Sequence, residues 1–302
     1  MNIDSGFSFG HEAKAASELQ KERADGGEGL RHFTASDGAR IAYSVEGEGR
    51  PLVFLHGLMA DRGFFERQNV LADAFRVIAV DLRGHGRSPA GPVPPTIELA
   101  AHDIAGLACA LDLEGAVGVG WSLGAAILWR VLSGPASDRF AGAVVVDMTP
   151  RVLNDRDWDL GLSRETCEAR SQAIRDDFPA FAAAAGQAIF AAPGAEADRA
   201  AEAFAANDPA AIGAMWQSLV DEDVRPLLPS IRQPTLIVHG ARSHLYGADT
   251  AGHLAAALPD ARAVTFDRSG HAPHLEQPEL FNATLREFAA TLPPVRQSET
   301  IV

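Results

Sequence analysis

The chain predicts an α/β fold: an open, mostly parallel, twisted sheet flanked by helices, with a helical cap inserted after the sixth strand. Three observations predict it. Short runs that are apolar at every position recur along the chain, as strands covered on both faces require. Stretches of helical periodicity separate most of these runs, the alternation expected of an α/β sheet. One interval of about eighty residues, 148–229, carries helical signals and no strand signal, and a loop of that length without structure of its own is implausible.

Taken in order, residues 1–30 are polar, charged and glycine-punctuated and read as a loose N-terminal arm, helical over 11–23. Residues 32–36 and 40–45 flank the turn Ser36-Asp37-Gly38 and predict a hairpin. The continuous apolar runs 52–55, 77–80, 117–119, 141–146, 236–238 and 263–266 predict the remaining strands, with helices over 63–73, 96–111, 123–133, 250–258 and 277–291. Residues 31–147 and 230–292 would form the core, 148–229 the cap and 293–302 a solvated tail. Phe178, Phe181, Phe190, Phe204, Met215 and Trp216 would either line an apolar acyl or alcohol pocket or form the core of the cap's own helices.

The 302 residues suffice for a large core, and 47% apolar with 22% charged residues describes an ordinary globular chain. A net charge of −14 argues against nucleic-acid and anionic-membrane partners. There is no apolar run long enough to span a bilayer and no secretory leader pattern. Cys109 and Cys167 offer neither a disulfide framework nor metal-ligand spacing; both are expected to be buried, in a cytoplasmic protein. The expected partner is a small molecule, and the oligomeric state stays open.

Three motifs carry chemistry. Gly120-Trp121-Ser122-Leu123-Gly124 lies directly after a strand run and before a helical one, the context of a nucleophile elbow. A serine hydroxyl is a weak nucleophile and has to stand exposed where a base and a carbonyl both reach it. Such a turn strains the serine backbone and tolerates only small neighbours. Phe54-Leu55-His56-Gly57-Leu58 ends an earlier strand. Its Leu58 N–H, with that of Leu123, could hold the oxyanion of a tetrahedral intermediate. Ser269-Gly270-His271 follows the last strand, and His271 could move the serine proton. His274 competes for that role. The pair His271/His274 lacks the further ligands of a metal site, and His85 and His239 read as structural.

In this order the motifs resemble the α/β-hydrolase fold family over residues 31–291. The resemblance implies Ser122 as nucleophile, His271 as base, Leu58 and Leu123 as oxyanion-hole donors, and a carboxylate that orients the histidine. It also matches Asp81-Leu82-Arg83-Gly84-His85-Gly86-Arg87-Ser88, expected to serve turn geometry and strand-end hydrogen bonding. The family usually places its acid after the seventh strand, in a segment like G-x-x-D, where this chain has Gly240-Ala241-Arg242-Ser243. A hydroxyl cannot stabilise an imidazolium, so Ser243 is a poor replacement. Asp147, at the tip of the sixth strand, is the leading candidate; Asp249, another carboxylate or a Ser–His dyad are the alternatives, and Asp267 is expected to face solvent.

These features predict a serine hydrolase acting on a small to medium, mostly apolar ester or lactone, without cofactor or metal. Perhydrolysis or haloperoxidase-like chemistry, carbon–carbon bond hydrolysis, or a binding protein that has lost turnover are the alternatives. A dinucleotide enzyme is disfavoured: Gly118-Val119-Gly120 is followed by Leu123 where the third glycine belongs.

Overall fold

The computed structural model describes residues 29–295. The helix expected over 11–23 and the end of the C-terminal tail lie outside them. Strands β1 (Leu30–Thr34) and β2 (Arg40–Glu46) form the expected hairpin, followed by β3 (Arg50–Leu55), β4 (Phe75–Val80) and β5 (Ala116–Trp121). β6 (Phe140–Val146), β7 (Thr235–Gly240) and β8 (Ala261–Phe266) complete one eight-stranded sheet of order β1-β2-β4-β3-β5-β6-β7-β8. Only the β1–β2 and β2–β4 pairings are antiparallel. β5 and β7 are buried at every position, which explains why they read as uninterrupted apolar runs.

Helix α1 (Ile97–Ala110) begins at Thr96, whose side chain accepts the Leu99 N–H, and α2 (Leu123–Leu132) follows β5 without a linker beyond Ser122. Where a helix is expected over 63–73, residues Arg62–Asp73 form successive 3-10 turns instead, capped by Asp61 through the Gly63 N–H. Cys167 is buried, but Cys109 is exposed. The buried stripe of α1 runs through Ile97, Ala100, Ala101, Ile104, Leu107 and Ala108, and Cys109 falls just off it.

Between β6 and β7 lie four helices: α3 (Arg164–Asp176), α4 (Phe178–Ala188), α5 (Ala195–Ala205) and α6 (Pro209–Asp221). Asp177 and Asp208 cap α4 and α6 through their side chains, each followed closely by a proline in the first helical turn. The foot of this insertion is closed where the Val224 N–H donates to the Pro150 carbonyl and Arg151 pairs with Asp223 at 2.6 Å. Helix α7 (Ala248–Ala257), the short α8 (Pro273–Glu276) and α9 (Pro278–Thr291) finish the chain. None of the described helices is long and apolar enough to cross a membrane.

Candidate active site

The carboxyl ends of β5, β6 and β7 come level, because Trp121 pairs with Val146 and Val146 with Val238. The ladder runs one residue further: the Ser122 N–H donates to the Val146 carbonyl at 3.0 Å and the Asp147 N–H to the Val238 carbonyl at 2.8 Å. Ser122 and Asp147 therefore sit on neighbouring strand tips, each where its strand breaks off. Both leave in the left-handed region, Ser122 with φ 53° and Asp147 with φ 45°. Met59, with φ 68°, is a third such residue in the loop after β3. A non-glycine residue there costs about 1–3 kcal/mol and persists only where the surroundings impose it.

What imposes it at Ser122 is crowding. A Cβ on Gly120 would lie 2.6 Å from the Ala125 Cα, and one on Gly124 would run into the Leu55 carbonyl. Only a hydrogen fits in place of a side chain two residues to either side of the serine. Ser122 occupies the N-cap of α2 without making a side-chain cap bond, and its hydroxyl makes no hydrogen bond among the described residues. The Leu123 N–H is the first of that helix and has no intrahelical acceptor.

His271 stands behind β8 with a buried ring. Its Nδ1–H donates to Asp147 Oδ2 at 2.6 Å, and the same oxygen accepts the Ser243 hydroxyl at 2.6 Å. The other oxygen, Oδ1, accepts the Gly240 N–H at 3.3 Å. Asp147 and His271 are thus brought together, whereas Asp249 and Asp267 are exposed. Nε2 of His271 makes no hydrogen bond among the described residues. The end of β5 is tied to the loop of His271: the Trp121 indole N–H donates to the His271 carbonyl at 2.8 Å.

His274 cannot substitute for His271. Its ring is fully buried between Phe65 and Trp121, with centroids 4.9 and 4.8 Å away. Neither ring nitrogen has a partner among the described residues, and burial, reinforced by the neighbouring His271, pushes its pKa down to about 3.

His56 orients the loop that carries Leu58. The Leu82 N–H donates to His56 Nε2 at 2.9 Å, so the proton sits on Nδ1 and is donated to the Gly57 carbonyl at 2.8 Å. Ala60 N–H donates to the same carbonyl. In a trans peptide the carbonyl and the following N–H point opposite ways, so pinning Gly57 O turns the Leu58 N–H away from these donors. Burial holds the His56 pKa below its usual value and keeps the ring neutral. Asp81 fills the strand-end role expected of its loop: its carboxylate accepts the N–H groups of Arg62 and Arg87 and pairs with the Arg62 guanidinium at 2.6 Å.

Sequence reasoning missed several supports. Ser243 was discounted as an acid, yet its hydroxyl lies on the carboxylate itself. The insertion reaches both loops: Asn207 donates to the Met59 carbonyl at 2.7 Å, and the His271 N–H donates to the Ile189 carbonyl at 2.8 Å. No local pattern around residues 189 or 207 announces these contacts, which exist only after four helices have packed.

A profile of the alpha/beta hydrolase family matches residues 52–284. The pimeloyl-[acyl-carrier protein] methyl ester esterase of Chromobacterium violaceum is 31% identical over 252 residues, covering 81% of this chain and 96% of that protein. Among solved structures, an esterase from Exiguobacterium antarcticum superposes with a TM-score of 0.82 at 26% identity, covering 86% of this chain and 98% of the other. A bromoperoxidase from Bacillus anthracis superposes at 0.81 with 22% identity, covering 86% of this chain and all of the other (100%), and attests the fold alone.

Proposed function

The chain belongs to the alpha/beta hydrolase family, and on that premise we propose that it is a serine ester hydrolase with Ser122 as nucleophile, His271 as base and Asp147 as the acid. Ser122 Oγ attacks the ester carbonyl while His271 Nε2 takes its proton. The N–H groups of Leu58 and Leu123 hold the oxyanion, and losing one such donor typically costs about 3–4 kcal/mol. His271 returns the proton to the departing alcohol, leaving an acyl group on Ser122. Water, deprotonated by the same nitrogen, then releases the carboxylic acid and restores the hydroxyl. Asp147 keeps the Nδ1–H tautomer in place and stabilises the imidazolium formed in each half.

The observation that carries this reading is the buried Asp147–His271 pair at 2.6 Å, one strand from a serine that stands on the elbow with its hydroxyl free. The surroundings favour a small to medium, mostly apolar ester or lactone. Phe64 stacks on Trp121 with centroids 5.9 Å apart and meets Phe204 of the insertion at 5.6 Å, while Tyr246 stands edge-on to His271. The insertion would act as a cap over this apolar ground. The esterase named among the relatives is consistent with ester cleavage.

Two measurements on the purified protein test the proposal. Diethyl p-nitrophenyl phosphate should add one diethylphosphoryl group per chain, on the peptide containing Ser122, and Ser122→Ala should take up none. A p-nitrophenyl ester series of rising acyl length should be hydrolysed best at short to medium lengths. A protein that neither labels nor cleaves any ester or lactone would sink the assignment.

A further inference from the structure

The loop that carries His271 is pressed between two backbones. On one side lies the end of β7, so close that a Cβ on Gly240 would collide with the Gly270 carbonyl; on the other lies the turn after α4, where a Cβ on Gly270 would sit 2.7 Å from the Ala191 nitrogen. Packing two loops backbone to backbone at this distance creates a polar problem. Among the described residues no backbone carbonyl accepts the N–H of Ala191 or of Gly270. The acceptor for both is one side chain. Glu276, at the end of α8, takes the Gly270 N–H on Oε2 at 2.6 Å and the Ala191 N–H on Oε1 at 2.7 Å. Between these two bonds the His271 N–H itself donates to the Ile189 carbonyl at 2.8 Å.

We infer that Glu276 is a positioning residue for His271: its carboxylate clamps the histidine loop to the turn 189–191 of the insertion and so sets where the imidazole stands relative to Ser122. The inference rests on the hydrolase reading given above for its kinetic consequence, though the clamp itself is a statement about two loops. A neutral amide cannot do the same work. Glutamine offers one acceptor oxygen and turns an NH2 group toward the second N–H, leaving two donors facing each other. The carboxylate bonds are charge-assisted and stronger than neutral ones, and displacing a reacting group by about 1 Å can cost 100-fold in rate. The clamp also makes the insertion part of the catalytic apparatus: it supports the base through residues 189–191 as well as covering the substrate.

The test compares Glu276→Gln and Glu276→Ala with wild type and with Arg67→Ala, which removes an exposed ion pair between the 62–73 turns and Glu196 of the insertion and leaves His271 untouched. The rate constant for phosphorylation of Ser122 by diethyl p-nitrophenyl phosphate, corrected for folded fraction, should fall about 10–100-fold in Glu276→Gln and at least as far in Glu276→Ala. Ester hydrolysis should show the loss in kcat with KM nearly unchanged, whereas Arg67→Ala should keep wild-type rates. Hydrogen exchange read on peptides covering 187–193 and 267–277 should accelerate in both segments together in Glu276→Gln. A Glu276→Gln protein that labels at the wild-type rate overturns the inference, even if it melts earlier, since a purely structural residue would produce that result. If wild type itself never labels, the hydrolase reading fails, and the exchange arm still decides: unchanged protection of both segments removes the clamp.

Discussion

Two side-chain centres built on buried carboxylates sit at strand ends of this sheet, and they are finished differently. After β4, Arg83 is 1% exposed and every guanidinium nitrogen is spoken for. Asp103 takes Nε and NH2 at 2.8 and 2.7 Å, and Asp37 takes NH1 at 2.7 Å. After β6, Asp147 is saturated in the same manner by His271, Ser243 and Gly240. There the bonding stops, with Nε2 of His271 and the hydroxyl of Ser122 unpaired among the described residues. A centre whose donors are all satisfied holds loops together; a centre completed on one side and open on the other holds a proton acceptor ready. A buried carboxylate marks both, and only the missing bond tells them apart.

The largest expected effect breaks the open centre. Asp147→Asn keeps the shape but lets the imidazole take the wrong tautomer, which should lower kcat/KM by roughly 10³–10⁴-fold with the thermal transition little changed. Because the Ser243 hydroxyl lies 2.6 Å from Asp147 Oδ2, Ser243→Asp placed in the Asp147→Asn background should recover part of that loss. Near-normal turnover in Asp147→Asn would move the acid elsewhere and erase the contrast between the two centres.

The closed centre should fail in the opposite currency. Arg83→Met strands two carboxylates, Asp103 buried and Asp37 exposed, and should cost about 3–5 kcal/mol of unfolding free energy, most of it from Asp103. Per folded molecule, ester hydrolysis should stay near wild type. Urea unfolding alongside active-site titration separates the two; a stable but inactive Arg83→Met would show that saturation does not identify a structural centre.

These centres were unequally legible. Continuous apolar runs revealed β3 to β7 because a strand covered on both faces has no polar position, and the strand–serine–helix arrangement revealed Ser122 because crowding at Gly120 and Gly124 admits no other residue. The carboxylate at His271 was harder. Asp147 directly follows β6 while Asp249 lies nine residues past β7 in the first turn of α7, and only the assembled sheet and loops put the first of them on the imidazole. Glu276 and Asn207 carried no signal, since their partners are backbone groups brought in by packing rather than by pattern. Cys109 misled for a simpler reason: residue type predicts burial, but the position on a helix face decides it.

A third kind of buried polar group limits the contrast, because unpaired nitrogens alone do not make a reactive centre. His274 and His85 each keep unpaired ring nitrogen in the interior. Burial first, then a neighbouring histidine, pushes both pKa values down to about 3. Among the described residues neither ring bonds a carboxylate, whereas His271 donates to Asp147. The consequence is a stability loss in acid. The unfolded chain binds a proton at each of these histidines near pH 6.5 while the folded chain resists until about pH 3, so stability falls as pH drops through that window. Each histidine should remove about 2 kcal/mol by pH 5. His274→Phe, which keeps an aromatic ring among Phe65, Trp121 and Phe281, should take one proton out of this linkage. Between pH 6 and 4 its unfolding free energy should decline less steeply than that of wild type by about 1.4 kcal/mol per pH unit. Urea titrations at pH 7, 6, 5 and 4 measure that slope. Equal slopes would mean that His274 titrates as freely as a surface histidine, and a sealed ring could then no longer be set against the carboxylate-backed one at 271.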